Sequence, residues 1–237
     1  MEIDNLKREL QGLKNLEQAK LLQRYFKTGV GEYAEGDVFI GLTNPIQRAV
    51  AKKYPNLNYQ ELQELLNSKI HEYRLVALLI LIKKYQKAKK DKLERRKIFE
   101  FYLKNTENIN NWDLVDLSAP KIIGDFLQKE GTELLKNLAK SKNIWERRIA
   151  ILSTFPFIKK RRFGETLAIS ELLMNDEHDL IHKAVGWGLR EVGKKNLEVL
   201  ELFLMSRYKQ MPRTMLRYAI EKFPEEKRKA YLKGEIS

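Results

Sequence analysis

The chain has 237 residues, with 45 Lys plus Arg against 32 Asp plus Glu, and a formal charge of +13. Its 43% hydrophobic content is too high for a disordered chain, and its length allows a sizeable core. The lack of Cys excludes a disulfide framework, a Cys-ligated zinc site and a thiolate nucleophile, and three scattered histidines (His71, His178, His182) make a poor metal centre.

The first ten residues, MEIDNLKREL, are acidic and mixed, without a signal-peptide core. Thr43-Asn44-Pro45 reads as a helix cap followed by a first-turn proline. Asn58 and Glu61 form a capping-box pair ahead of Leu62, Leu65 and Leu66, which share one helical face. Leu75, Leu78, Leu79 and Ile82 follow His71-Glu72 and end at Lys83-Lys84, placing cations at a helix C-terminus. The apolar run Leu75 to Ile82 is the longest, well short of the ~20 residues that span a bilayer, and reads as the buried part of a helix. Lys83 to Lys97 reads as a solvated helix end and turn. With 12 Gly, 6 Pro and no alternating apolar segments, the expected class is all-α, in a soluble, cytoplasmic protein with no membrane partner.

A weak internal repeat organises these helices. Glu72-Tyr73-Arg74-Leu75 aligns with Glu146-Arg147-Arg148-Ile149 and with Ile181-His182-Lys183-Ala184, each after a Leu-rich helix and a short polar turn. Arg74, Arg148 and Lys183 lie 74 and 35 residues apart, consistent with a period of roughly 35 to 40. Asn111 to Asp116 supplies a degenerate copy and Leu216 to Ile220 a fifth. Stacked helix hairpins predict a superhelical solenoid with one concave face, formed as a single domain over residues 1–237. A basic residue recurring in each hairpin predicts a cationic stripe along that face. The competing reading is that each basic residue pairs within its own hairpin. A pI near 9.6 points to a polyanionic partner, nucleic acid or an anionic membrane surface.

Trp112 and Asp116 are four apart and share one helix face, while Asp113 is turned away by roughly 100°. Trp145 reads as core. Trp187 is flanked by Gly186 and Gly188, each costing about 1 kcal/mol relative to Ala in a helix. Close helix packing or close approach of a large ligand would offset that cost, and both readings stay open for Trp112, Asp116 and Trp187. Indole faces attract a cationic base or a sugar developing positive charge, and an outward-facing carboxylate beside them stabilises such a centre and orients water. Basic residues around them would hold phosphates. That set suits cleavage of an N-glycosidic bond in damaged DNA.

The sequence resembles the DNA alkylation repair enzyme family, the AlkD-like alkylpurine DNA glycosylases, over nearly its whole length. The resemblance rests on Arg24-Tyr25-Phe26-Lys27, Gly36 to Leu42 with Pro45 and Arg48, and Asn111 to Asp116. Further along it takes in Asn143 to Arg148, Lys183 to Glu191, and Met211-Pro212-Arg213-Thr214 leading into Leu216 to Ala219. It implies HEAT-like repeats that bind double-stranded DNA on the concave face and release N3- and N7-alkylated purines, such as 3-methyladenine and 7-methylguanine, without flipping the nucleotide. It further implies catalysis by Asp116, Trp112 and Trp187, with Arg148 supporting the DNA backbone. Arg190, Lys183, Arg48 and Tyr25 join Arg148 as expected DNA-binding residues. No cofactor, no metal and a monomer are expected. A monofunctional glycosylase is favoured over a lyase because no Lys lies in the Trp112 motif. The alternative is a non-catalytic DNA-binding or protein-binding HEAT-like scaffold.

Overall fold

The structure, a computed structural model, describes residues 2–236. It is all-α, with sixteen α-helices and one π-helical turn, and an isolated bridge from Val38 to Ile70 replaces any strand among the described residues. No helix there is long and apolar enough to cross a membrane. The chain divides into two compact units, the boundary falling between Leu114 and Val115.

The first unit contains α1 (Glu2–Gly12), α2 (Leu16–Tyr25), α3 (Asn44–Lys53), α4 (Tyr59–Leu66), α5 (His71–Lys87) and α6 (Lys92–Lys104), and the boundary lies inside α7 (Trp112–Ala119). The expected capping box opens α4: Asn58 accepts the amides of Gln60 and Glu61, and the Glu61 carboxylate accepts that of Asn58. Thr43 stands at the start of α3 but makes no side-chain cap bond. Helix α5 is buried all round from His71 to Ile82, as an apolar helix must be, and packs against α3, α4 and α6. Its Lys-rich end does close in a turn, with Asp91 capping α6 through the Glu94 amide.

The buried first turn of α5 dictates the strap that precedes α3. The Glu72 carboxylate is fully buried and accepts the amide N–H groups of Ile40, Gly41 and Leu42 at 2.8–3.2 Å. Gly41 has φ +86°, and a Cβ there would lie 2.0 Å from the Asn15 carbonyl oxygen. Only glycine fits, because the strap lies directly on the start of α2.

The second unit runs through a π-helical turn (Pro120–Gly124), α8 (Asp125–Glu130), α9 (Glu133–Ala139), α10 (Ile144–Leu152), α11 (Phe155–Lys159), α12 (Gly164–Leu172), α13 (Asp179–Lys195), α14 (Leu197–Met205), α15 (Arg213–Ala219) and α16 (Glu225–Lys233). Helix α13 is central, packing against α10, α11, α12, α14 and α15. At Gly186 a Cβ would lie 2.5 Å from the Met215 carbonyl oxygen and from Tyr218 Cβ, so α13 and α15 touch through backbone. Close helix packing therefore accounts for Gly186.

The repeat is present in the turns, in a register one residue from that expected. In the α4–α5 turn Ser68 Oγ accepts the Ile70 amide, and the Ser68 carbonyl accepts from Arg74 six residues on. Ser141 does the same with the Asn143 amide and Arg147, and Asp176 with the His178 amide and His182. The steps are 141 − 68 = 73 and 176 − 141 = 35, so Arg74 corresponds to Arg147, not Arg148. The cationic stripe does not form as expected, since Arg74 is buried against Asp37 and Arg148 against Asp116.

Candidate functional site

In the first unit, Trp112 at the start of α7 is half-buried and packs on a cluster of rings in which Phe26 and His71 also meet, at 5.2 Å. It stacks on Phe26 (5.1 Å, 15°), Phe26 on Phe39 (5.0 Å, 21°), and Phe39 on the imidazole of His71 (4.5 Å, 22°). Each such contact adds about 0.5–1.5 kcal/mol beyond simple burial. Tyr25, 65% exposed, meets the indole edge-on at 6.0 Å, and Trp112 Nε1 donates to the Tyr33 hydroxyl at 3.3 Å. Arg48 is exposed on α3.

The ring cluster adjoins a buried charge network. His71 Nε2 lies 2.9 Å from Asp113 Oδ2 and Nδ1 lies 3.3 Å from Asp37 Oδ2, while Arg74 reaches Asp37 at 2.7 Å. Burial opposes charge on His71, but the carboxylates of Asp113 and Asp37 outweigh it and push its pKa up to about 9. Burial likewise opposes charge on Asp37, and His71 and Arg74 hold its carboxyl below the usual range. Asp113 is thus turned away from the Trp112 face, as the helical spacing requires, and has a partner of its own.

In the second unit, Asp116 lies one turn along α7. The sequence predicted an isolated outward-facing carboxylate; instead it forms a bidentate pair with Arg148, whose Nε and Nη2 each donate at 2.7 Å. The Asp116 side chain keeps 17% exposure. Arg148 is buried and gives its third contact, Nη1, to the Leu180 carbonyl oxygen at 2.6 Å. As placed, Arg148 orients Asp116 rather than facing solvent.

Trp187 is half-buried on α13, edge-on to Phe155 (4.8 Å, 83°), with Nε1 donating to Glu191 at 3.2 Å. Gly188 beside it would accept a Cβ with ordinary contacts of 3.4–3.6 Å to Thr166 and Ile151. Trp145 is core, as expected. Lys183 is 41% exposed and pairs with Asp179 at 2.7 Å, one turn away. Arg190 is mostly covered and engaged by Glu221 and Glu191. Phe26, Phe39, His71 and Asp113 carry no role in the sequence reading, although all but His71 lie in stretches that carry the family resemblance.

Residues 6–223 match the family described as DNA alkylation repair enzyme. Among solved structures, a predicted DNA alkylation repair enzyme from Enterococcus faecalis aligns with TM-score 0.70 and 22% identity over 90% of this chain and 97% of its own. AlkD2 from Streptococcus mutans aligns at 0.57 and 19% over 86% and 99%, and smu.31 from Streptococcus mutans UA159 at 0.56 and 16% over 95% and 100%. At these identities the likeness is one of fold. No curated protein sequence matches the chain significantly.

Proposed function

This chain belongs to the DNA alkylation repair enzyme family, and from that premise we propose that it is a monofunctional glycosylase. Its substrate is duplex DNA carrying cationic N3- or N7-alkylated purines, 3-methyladenine and 7-methylguanine among them. It works as a monomer and as one HEAT-like DNA-binding domain, without extruding the damaged nucleotide. The observation that carries the reading is the Asp116 carboxylate, held at both oxygens by Arg148 yet partly open to solvent.

The chemistry follows from the charge already on the base. As the bond from C1′ to the purine nitrogen breaks, its electron pair neutralises the cationic purine, so the leaving group needs no general acid. Positive charge passes to the deoxyribose. Asp116, ionised and fixed in direction by two charge-assisted bonds, stabilises that charge. It also orients the water whose oxygen bonds to C1′ and takes up the proton released. The π-faces of Trp112 and Trp187 are each of a kind that attracts a cationic centre.

The bidentate pair also favours a second reading, a binding scaffold in which Asp116 only secures Arg148. Release of 7-methylguanine from methylated duplex DNA decides between them. Asp116→Asn is expected to lower release at least ~100-fold while duplex binding persists. Because that variant leaves Arg148 buried opposite an amide, Asp116→Asn/Arg148→Gln is measured beside it. Absence of release by the wild type would leave only the scaffold, and wild-type rates in a folded variant of either kind would remove Asp116 from the chemistry.

A further inference from the structure

The last two helices of the second unit enclose a cavity of about 270 Å³ lined by Arg213 and Arg217 of α15 and Arg228 and Leu232 of α16. Each pair is spaced four residues apart, so one face of each helix is turned to the cavity. Three guanidinium groups around one space repel one another, and the acids at hand offset little of that. Glu225 pairs with Arg228 Nη2 at 2.9 Å and is shared with Lys229. Arg213 Nη1 donates to the Leu232 carbonyl oxygen, a neutral acceptor. Arg217 is exposed, and no ion pair engages it among the described residues. Arg228 Nε is buried and has no hydrogen-bond partner among the described residues, while the rest of that side chain is 39% exposed.

We propose that this cavity binds a phosphate group, supplied by the DNA backbone or by a free phosphate monoester. Planar guanidinium forks match the oxygens of a tetrahedral phosphate two at a time, and such an anion would relieve the repulsion among the three arginines. The space is larger than the four oxygens of a bare phosphate need, and Leu232 gives it an apolar wall. Both features fit an ester, with its sugar carbons against the leucine. The cavity shares no residue with Asp116, Arg148 or Trp187. For the DNA source the proposal rests on the function proposed above; for the free monoester it does not.

Arg217 is the residue to change, since it is exposed and outside every ion pair among the described residues, so its loss spares the fold. Thermal unfolding of the full chain is followed against inorganic phosphate, with chloride matching the ionic strength. The wild type should gain Tm with phosphate, as binding to the folded state requires. Arg217→Gln should lose most of the gain and Arg217→Lys recover part of it. An equal gain in wild type and Arg217→Gln, or none in wild type, overturns the site. Duplex DNA then distinguishes the sources. About tenfold weaker binding by Arg217→Gln, with a salt slope lower by about one, identifies a backbone phosphate. Unchanged duplex binding with a lost phosphate response identifies the free monoester. Failure of the wild type to bind duplex at all defeats the glycosylase reading, and the phosphate titration still decides the cavity.

Discussion

His71 ties the stability of the first unit to pH. Its folded pKa, about 9, lies above the unfolded value near 6.5, so it binds a proton on folding. The stabilisation is present in full below about 6.5 and is lost as pH rises through 9, to a total of about 3 kcal/mol. Asp37 has the opposite sign, contributing above its unfolded value near 3.8 and losing that as pH falls through its lowered folded one. Together they predict a stability plateau from about pH 4 to 6.5. Melting curves should show Tm falling from pH 7 to 10 in the wild type and a flatter profile in His71→Asn. A wild-type Tm that stays level over that range would mean the imidazole is neutral. None of this was legible in sequence, since Asp37 and Asp113 lie 34 and 42 residues from His71 and no local spacing joins them. Trp145 and the Asn58–Glu61 box were legible because burial pattern and capping are local. Asp116 was found as a residue but not with its partner, 32 positions away.

Helix α13 shows how two neighbouring glycines differ. Gly186 lies against the α15 backbone, which cannot yield as a flexible side chain would, whereas Gly188 faces side chains at ordinary contact distance. Gly186→Ala should cost roughly 1–3 kcal/mol, read as a lower urea midpoint. Gly188→Ala should be neutral or stabilising by up to about 1 kcal/mol, from helix propensity alone. Equal destabilisation by both would place the close approach elsewhere. From sequence the two looked alike, because the helix against which each packs is set only by the tertiary fold. The hairpins themselves were legible, but their register was not. A shared Glu and Arg drew Arg148 onto Arg74, while the turns count from Ser68 and Ser141. One residue is a rotation of roughly 100°, enough to send Arg147 back to its own turn and Arg148 to Asp116.

At the scale of the molecule, the surplus of +13 was plain from composition, and it predicts how the chain meets a polyanion. If DNA is the ligand, log affinity should fall linearly with log salt, with a slope near −0.9 for each phosphate neutralised. Fluorescence anisotropy of a labelled duplex from 50 to 200 mM salt measures it, and a flat response would argue against a backbone-held ligand. Charge alone did not say which cations acids engage: Arg74, Arg148 and Arg190 are held by acids and Lys183 pairs with Asp179 at the surface, while Arg48 is exposed. The all-α class was legible from few turns and helical periodicity, whereas the division after Leu114 was not, since no Gly- or Pro-rich linker marks it. Arg148 has a last consequence. The same guanidinium that orients Asp116 also grips Leu180, in the first turn of the helix that bears Trp187. Drift at this position therefore disturbs two neighbourhoods at once, and a library that randomises it should yield few survivors, most of them compensated on both sides.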